Sequence, residues 1–292
     1  MKTEWLEAFL QTVELKSLTK ASEMLHVSQP ALSKQIRNLE NELGTQLLIR
    51  STIGVTLTPS GEILHESSKR IMSEVNTMKR EIALAEGKQV HLTIGSWPSI
   101  AALYLPQRIA GNKLTDTHSA YKIRVFYSFF DMLKSLETGT IDAALFDDRG
   151  VKHDFLASLL FTEAFLLFVN VNHPLYGNRQ EVTFAEIANE AFVMLPEGCD
   201  VRMLVDHAFA AKGKKLHISF EIELGQSILG FIQANLGIAI LPEIFVQQTN
   251  ETVKAIPISD FGLTRQISAI TREQSASKQL LTLFDSVLPS PG

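Results

Sequence analysis

The chain opens with an apolar rhythm of helical period. Trp5, Phe9 and Val13 recur every fourth residue with Leu6 and Leu10 beside them, which predicts an amphipathic helix. Ser17 starts a second, short helix with Leu18, Ala21 and Leu25 inward, and His26-Val27-Ser28 breaks it. Ser28 suits the N-cap of a third helix, and Pro30 is tolerated in that helix's first turn. Leu32, Ile36, Leu39 and Leu43 mark its buried stripe, and Gly44 stands where a helix commonly ends in glycine. The period then changes. Gln46–Arg50 and Val55–Leu57 read as two short strands around the turn Ser51–Gly54.

Opposite the stripe of the third helix, Gln29, Ser33 and Arg37 fall on one face with Lys34 beside them. Amide, hydroxyl and cationic donors are the groups that read base edges in a major groove and hold phosphates. Two short helices, the second exposing such a face, describe a helix-turn-helix, and a following hairpin is a wing from which Arg50 would reach the DNA backbone or minor groove. By spacing alone the face is equally a solvated one, as on any amphipathic helix.

The residues decide between the two. The run AFLQTVELKSLTKASEMLHVSQPALSKQIRNLENELGTQLLIR, followed by VTLTPSGEIL, resembles the N-terminal winged helix-turn-helix of LysR-type transcriptional regulators. S-x-T-x-A, S-Q-P-A-L-S, I-x-x-L-E, the L-G turn and L-T-x-x-G occur in that order with the family's spacing. Two positions depart from the pattern: Ser22 replaces the usual second alanine of the second helix, and Leu48 stands where phenylalanine is common. The resemblance implies DNA contacts from Thr19, Ser28, Gln29, Pro30, Ser33, Lys34, Arg37 and Arg50.

Thr58 can cap a new helix with Pro59 at its first position, and after Gly61 no breaker follows until about Glu86. Leu64, Ile71, Met78 and Ala85 repeat every seven residues, with Val75 and Ile82 at a second position that Ser68 weakens. That pattern suits a two-helix seam or a single amphipathic helix lying on its own domain. In the family this helix pairs subunits, so the resemblance implies a homodimer, or a tetramer, joined through Leu64, Ile71, Val75, Met78 and Ile82.

After a hinge at Glu86–Gln89, strands and helices alternate. Strands are expected at Val90–Gly95, Lys122–Tyr127, Ala143–Phe146, Phe165–Asn170, Ala191–Leu195, Ile218–Glu223, Gly237–Leu241 and Gln266–Thr271, arranged in parallel sheets. Leu133–Ala144 and Ala234–Pro242 resemble the effector domain of the same family, which is similar to solute-binding proteins with two lobes joined by crossing strands. The fold class is therefore α/β: an all-α winged helix-turn-helix over 1–58, a linker helix over 59–87, and two Rossmann-like α/β lobes over 88–292. One lobe takes about 90–163 and 266–292, the other about 164–265.

Ligands of open α/β sheets bind beyond the carboxyl ends of the strands, near helix N-termini. Ser96, Ser99, Ser128, Cys199, Arg202, Gln226 and Ser227 fall at such ends, each serine being either a ligand contact or a plain helix cap. Trp97 and Phe129 flank the same ends as pocket wall or as core. Hydroxyls and helix ends favour a small anion or organic acid, whose carboxylate Arg202 could pair.

Composition narrows the alternatives. Among 292 residues one cysteine, Cys199, excludes an internal disulfide and fits a reducing compartment. Near an expected helix N-terminus it is either a redox sensor or an incidental thiol. No histidine pair has metal-ligand spacing, no cofactor is implied, and nucleotide-loop and hydrolase motifs are missing, so the expectation is a regulator and not an enzyme. The two S-x-x-K matches, at Ser17 and Ser275, are what chance supplies. No signal peptide opens the chain, and the greasiest stretch, Leu156–Val169, is broken by Glu163, so no membrane partner is expected and the location is cytoplasmic. A solute-binding protein is the rival reading. Partners are thus double-stranded DNA, a small-molecule effector, a second copy of the chain and possible contact with RNA polymerase. The net charge of −5 lies wholly beyond residue 58, because residues 1–58 hold six basic and six acidic side chains.

Overall fold

The computed structural model describes residues 1–51, 54–86, 88, 91–112, 120–272 and 274–285. Thr52 and Ile53 of the expected turn, Gly87 and Gln89 of the hinge, Val90 and the tail 286–292 lie outside them. The chain forms two compact units, Met1–Val90 with Ser135–Thr140, and His91–Lys134 with Ile141–Gly292.

In the first unit, α1 (Thr3–Leu15), α2 (Leu18–Met24) and α3 (Gln29–Leu43) enclose a core of Leu6, Phe9, Ala21, Leu32, Ile36 and Leu39. Ser17 caps α2 by accepting from the Lys20 N–H at 3.3 Å, and Ser28 caps α3 by accepting from the Ala31 N–H at 3.4 Å. Leu43 departs from the expected stripe and is 44% exposed. The chain turns away at Gly44, with φ at 68°, and Leu47 and Leu48 close the core in its place.

Strands β1 (Leu48–Ser51) and β2 (Gly54–Leu57) pair antiparallel as the wing, so the domain is not strictly all-α. Gly54 has a φ of +132°, and a Cβ there would stand 2.8 Å from the Lys16 carbonyl oxygen. Helix α4 (Pro59–Ala85) is anchored to the wing by Thr58, whose hydroxyl accepts from the Gly61 N–H at 3.0 Å and donates to the Gln46 carbonyl at 2.8 Å. A Cβ at Gly61 would lie 2.1 Å from the Leu47 carbonyl oxygen, so this close approach accounts for the glycine of L-T-x-x-G. Both departures from the family pattern fit their sites. Ser22 turns its hydroxyl to the Thr19 carbonyl at 2.8 Å, and Leu48 is fully buried.

The second unit is built on a seven-stranded sheet in the order β10-β6-β11-β5-β3-β4, with β9 also on β6. Its strands are β3 (His91–Ser96), β4 (Ala120–Val125), β5 (Ala143–Phe146), β6 (Leu156–Asn170), β9 (Ala239–Pro242), β10 (Val253–Pro257) and β11 (Thr264–Thr271). A separate parallel pair joins β7 (Ala191–Met194) to β8 (His217–Glu221). The helices are α5 (Leu105–Asn112), entered through a wide turn at Ile100–Tyr104, α6 (Phe129–Glu137), α7 (Phe184–Ile187), α8 (Asp200–Ala211), α9 (Ile228–Gln233) and α10 (Gln274–Asp285).

Strand β6 serves both lobes: Leu156–Ala164 pair with β11, and the stretch from Phe165 to Asn170 pairs with β9 and β10. The sheets are consequently mixed and not the all-parallel arrangement expected. The pairs β3–β4, β3–β5 and β7–β8 are parallel, but the chain crosses between lobes on β6 and returns on β11, which makes their pairings antiparallel.

Candidate functional sites

On α3 the expected reading face is present as a surface. Gln29, Lys34 and Arg37 are exposed, Ser33 is half-buried, and the inward positions of the same helix are fully buried. Thr19 in the first turn of α2 and Ser28 and Pro30 at the start of α3 are exposed, and Arg50 is exposed on β1. Among the described residues Lys34, Arg37 and Arg50 form no ion pair, which leaves three cations for solvent or a polyanion. Glu40 is withdrawn from any such surface: its Oε1 accepts from the Leu47 N–H at 2.9 Å and so fastens the entry to β1.

Along α4, Ile71, Met78 and Ile82 are exposed at 37%, 52% and 53%, and Val75 between them is half-buried. Leu64 is a correction to the expected seam. It packs with Met72 against the core of the winged domain, because the first turns of α4 are held on that domain by Thr58 and Gly61.

Between the lobes of the second unit lie two cavities. One, about 350 Å³, is lined from the first lobe by Ser99, Val125 and Tyr127 and from the second by Cys199, Glu223 and Gln226. The other, about 470 Å³, is walled by Trp97, Phe129, Arg149, Met203 and His207. Asp200 borders both. The structure therefore brings Ser99, Cys199 and Gln226 together in one cavity and Trp97 and Phe129 in the other.

Four expected effector contacts do not line either cavity. Ser96 is fully buried beneath the strand end. Ser128 caps α6 by accepting from the Asp131 N–H at 3.3 Å. Ser227 is exposed, and only its neighbour Gln226 reaches the cavity wall. Arg202 is buried, and its guanidinium is spent on Asp206 at 2.7 Å, the Leu195 carbonyl at 3.1 Å and Glu221 at 3.4 Å. A cation so fully engaged offers nothing to a ligand carboxylate.

Between the cavities sits a cluster that local spacing does not reveal. Arg265 on β11 is completely buried. Its Nε and Nη2 donate to Glu163 Oε1 on the facing β6 at 2.9 and 2.6 Å, and its Nη1 donates to Asp200 Oδ2 at 2.8 Å and Ser99 Oγ at 3.2 Å. Glu163 Oε2 accepts from the Ile244 N–H at 2.8 Å. Burial alone would lower the Arg265 pKa, but the Asp200 and Glu163 charges outweigh it and hold the group firmly cationic. The network ties both lobes to both crossing strands. A charged residue in each strand, Arg265 in β11 and Glu163 in the largely apolar β6, was the one sequence signal for it.

Cys199, immediately before α8, donates its thiol to Asp200 Oδ1 at 3.4 Å. Burial first, and the Asp200 carboxylate second, push its pKa up to about 12 against the pull of the Val201 and Arg202 amides. Helix position alone suggested the opposite direction. The thiol is neutral at physiological pH.

Among the described residues no three His, Cys, Asp or Glu side chains are placed to hold a metal ion, and no helix is long and apolar enough to cross a membrane. Residues 3–62 match a family model described as bacterial regulatory helix-turn-helix protein, lysR family, and residues 85–290 match the LysR substrate binding domain. The chain is 31% identical over 245 residues to the uncharacterized HTH-type transcriptional regulator YybE of Bacillus subtilis (strain 168), covering 84% of this chain and 83% of that protein. It is 30% identical over 278 residues to a hydrogen peroxide-inducible genes activator of Haemophilus influenzae, covering 92% and 90%. Full-length OxyR C199D from Pseudomonas aeruginosa shares the fold, with a TM-score of 0.77 at 23% identity over 98% of this chain and 94% of that one.

Proposed function

Because the chain belongs to the LysR family of bacterial DNA-binding regulators, we propose that α3 and the wing read duplex DNA and that a small molecule held between the two lobes governs that reading. The observation that carries the DNA half is the outward face of α3, where Lys34 and Arg37 stand unpaired among the described residues beside Gln29 and Ser33. Thr19, Ser28, Pro30 and Arg50 are exposed as well and complete the proposed contact set. Residues 1–58 form the reading head, 59–87 the pairing helix and 88–292 the sensor.

Self-association follows from α4, whose Ile71, Val75, Met78 and Ile82 form an apolar line that a second copy would cover, giving a homodimer and, by further pairing, a tetramer. Two half-sites raise a weak single-module affinity through effective concentration. A ligand favouring one arrangement of the lobes would then shift the subunit arrangement and the DNA geometry. The protein works in the cytoplasm, where DNA and RNA polymerase are, and carries out no catalysis.

The test is DNA retention against salt, expected to fall steeply as phosphate neutralisation requires. Retention independent of salt would refute the reading. Replacing Ile71 and Met78 by Glu should give monomers in light scattering, and an intact oligomer would refute the pairing role.

A second reading, oxidation sensing at Cys199, is favoured by the thiol's place on the cavity wall and by the 30% identity to the Haemophilus influenzae hydrogen peroxide-inducible genes activator. With one cysteine in the chain, an oxidised thiol has no internal partner for a disulfide. The neutral thiol favours the small-molecule reading over it. An unchanged response to peroxide in Cys199→Ser would remove the second reading.

A further inference from the structure

The charges that line the interlobe cavities restrict what they can hold. Among the described residues no Lys, Arg or His lines the cavity of about 350 Å³. Two carboxylates do, those of Asp200 and Glu223. Arg202, the cation nearest in sequence, is bound to Asp206, Glu221 and the Leu195 carbonyl. In the second cavity Arg149 is forked onto Asp147 and also donates to the Thr264 carbonyl at 2.7 Å. Among the described residues, no guanidinium or ammonium lining either cavity is without a carboxylate partner.

The cluster of Arg265, Glu163 and Asp200 adds to this. Arg265 is one positive charge against two carboxylates, Glu163 and Asp200, and all three are more than nine-tenths buried. One guanidinium thus faces two carboxyl groups in a poorly solvated place, where each polar atom needs a partner. The oxygens of Glu163 are both occupied, one by Arg265 and one by the Ile244 amide. Asp200 Oδ2 takes Arg265, but among the described residues Asp200 Oδ1 has as its donor only the Cys199 thiol, a weak one, on the border of both cavities. Glu223 stands exposed at the rim and, among the described residues, forms no ion pair. The remaining wall is largely apolar, with Leu103, Val125, Leu195 and Leu224.

We infer that the effector is a small organic cation, an amine on an apolar body, whose ammonium group meets Asp200 Oδ1 inside the cleft with Glu223 assisting at the rim. The inference rests on the proposal that the cleft binds the effector, and it replaces the anion that helix ends and hydroxyls suggested. A bound ammonium would give Asp200 Oδ1 a stronger donor than the thiol, and Asp200 belongs to the second lobe while Ser99 on the same guanidinium belongs to the first. Occupancy is thereby coupled to the ties between lobes.

The experiment uses the full chain and matched probes of three charges on common scaffolds: benzylamine, benzyl alcohol and benzoate, with butylamine, butanol and butyrate. Binding is followed by saturation-transfer NMR at neutral pH. The ammonium members should bind at least tenfold more tightly than their carboxylate counterparts. Glu223→Gln, at an exposed position, should weaken amine binding several-fold, and Asp200→Asn should erase the preference for amines. Equal or tighter binding of the carboxylate members, or amine binding unchanged in both variants, would overturn the charge assignment and leave the cleft as the effector site. Binding by no member of any charge would instead fail the cleft itself, and this inference with it.

Discussion

On α3 the cations Lys34 and Arg37 stand in solvent with no ion pair among the described residues, whereas between the lobes Arg265 is wholly buried and gripped by two carboxylates. The same residue type thus serves two ends. An exposed guanidinium retains its hydration until a phosphate or base edge replaces it, so its value appears in binding and its fold contribution is small. A buried one has already lost water, and its partners hold it in one geometry. Placement separates recognition from architecture more sharply than composition does.

The strongest way to break this contrast is Arg265→Met, which strands Glu163 and Asp200 in the interior. Loss of one partner of a buried ion cluster should cost about 3–5 kcal/mol of stability, read from urea unfolding. A loss below about 1 kcal/mol would show that water reaches the cluster. Arg37→Ala should do the reverse: unfolding should change by no more than about 0.5 kcal/mol, while specific DNA binding should lose about 1–3 kcal/mol and sequence preference should relax, as it should for Gln29→Ala. Equal losses on specific and random DNA would contradict base reading.

Arg50→Ala should weaken binding on all sequences alike and reduce the salt slope by about one counterion in gel-shift titrations. The smallest expected effect concerns Cys199. Its pKa is raised, so the stability it contributes is complete below the ordinary thiol pKa and fades as pH rises towards about 12. Nothing should therefore change near neutrality. Alkylation by iodoacetamide should be slow at pH 7 and accelerate only in strong alkali, and rapid modification at pH 7 would refute the burial of this thiol.

The winged domain was legible because its determinants are local. Ser17, Ser28 and Gly44 act within a turn of themselves, and the stripe of Leu32, Ile36 and Leu39 follows from helical period alone. Where the period overreached, at Leu43, the cause was also local: the chain turned one residue later. The cleft was legible only as a location. Ser99, Cys199 and Gln226 met there because strand ends and helix starts are readable. The charges that decide its chemistry were not, since Arg265 and Glu163 are 102 residues apart and meet only through the pairing of β6 with β11. Arg202 failed in part for a local reason, since its 2.7 Å partner Asp206 lies one turn further along the same helix. Its position in α8 was readable, but Glu221 comes to it from a strand that folds beside β7. The strand β10 and the first half of β6 went unseen because their alternation is weak and their pairing is what makes them strands.

The 15-residue strand β6 also bears on how the sensor comes apart. Its first half pairs with β11 in one lobe's sheet and its second half pairs with β9 and β10 in the other's, so neither lobe can lose β6 without breaking the pairing of its neighbour. Two lobes that look separable on a diagram form one cooperative unit. Heating should melt residues 91–285 in a single calorimetric transition, and neither lobe should survive as an excised fragment.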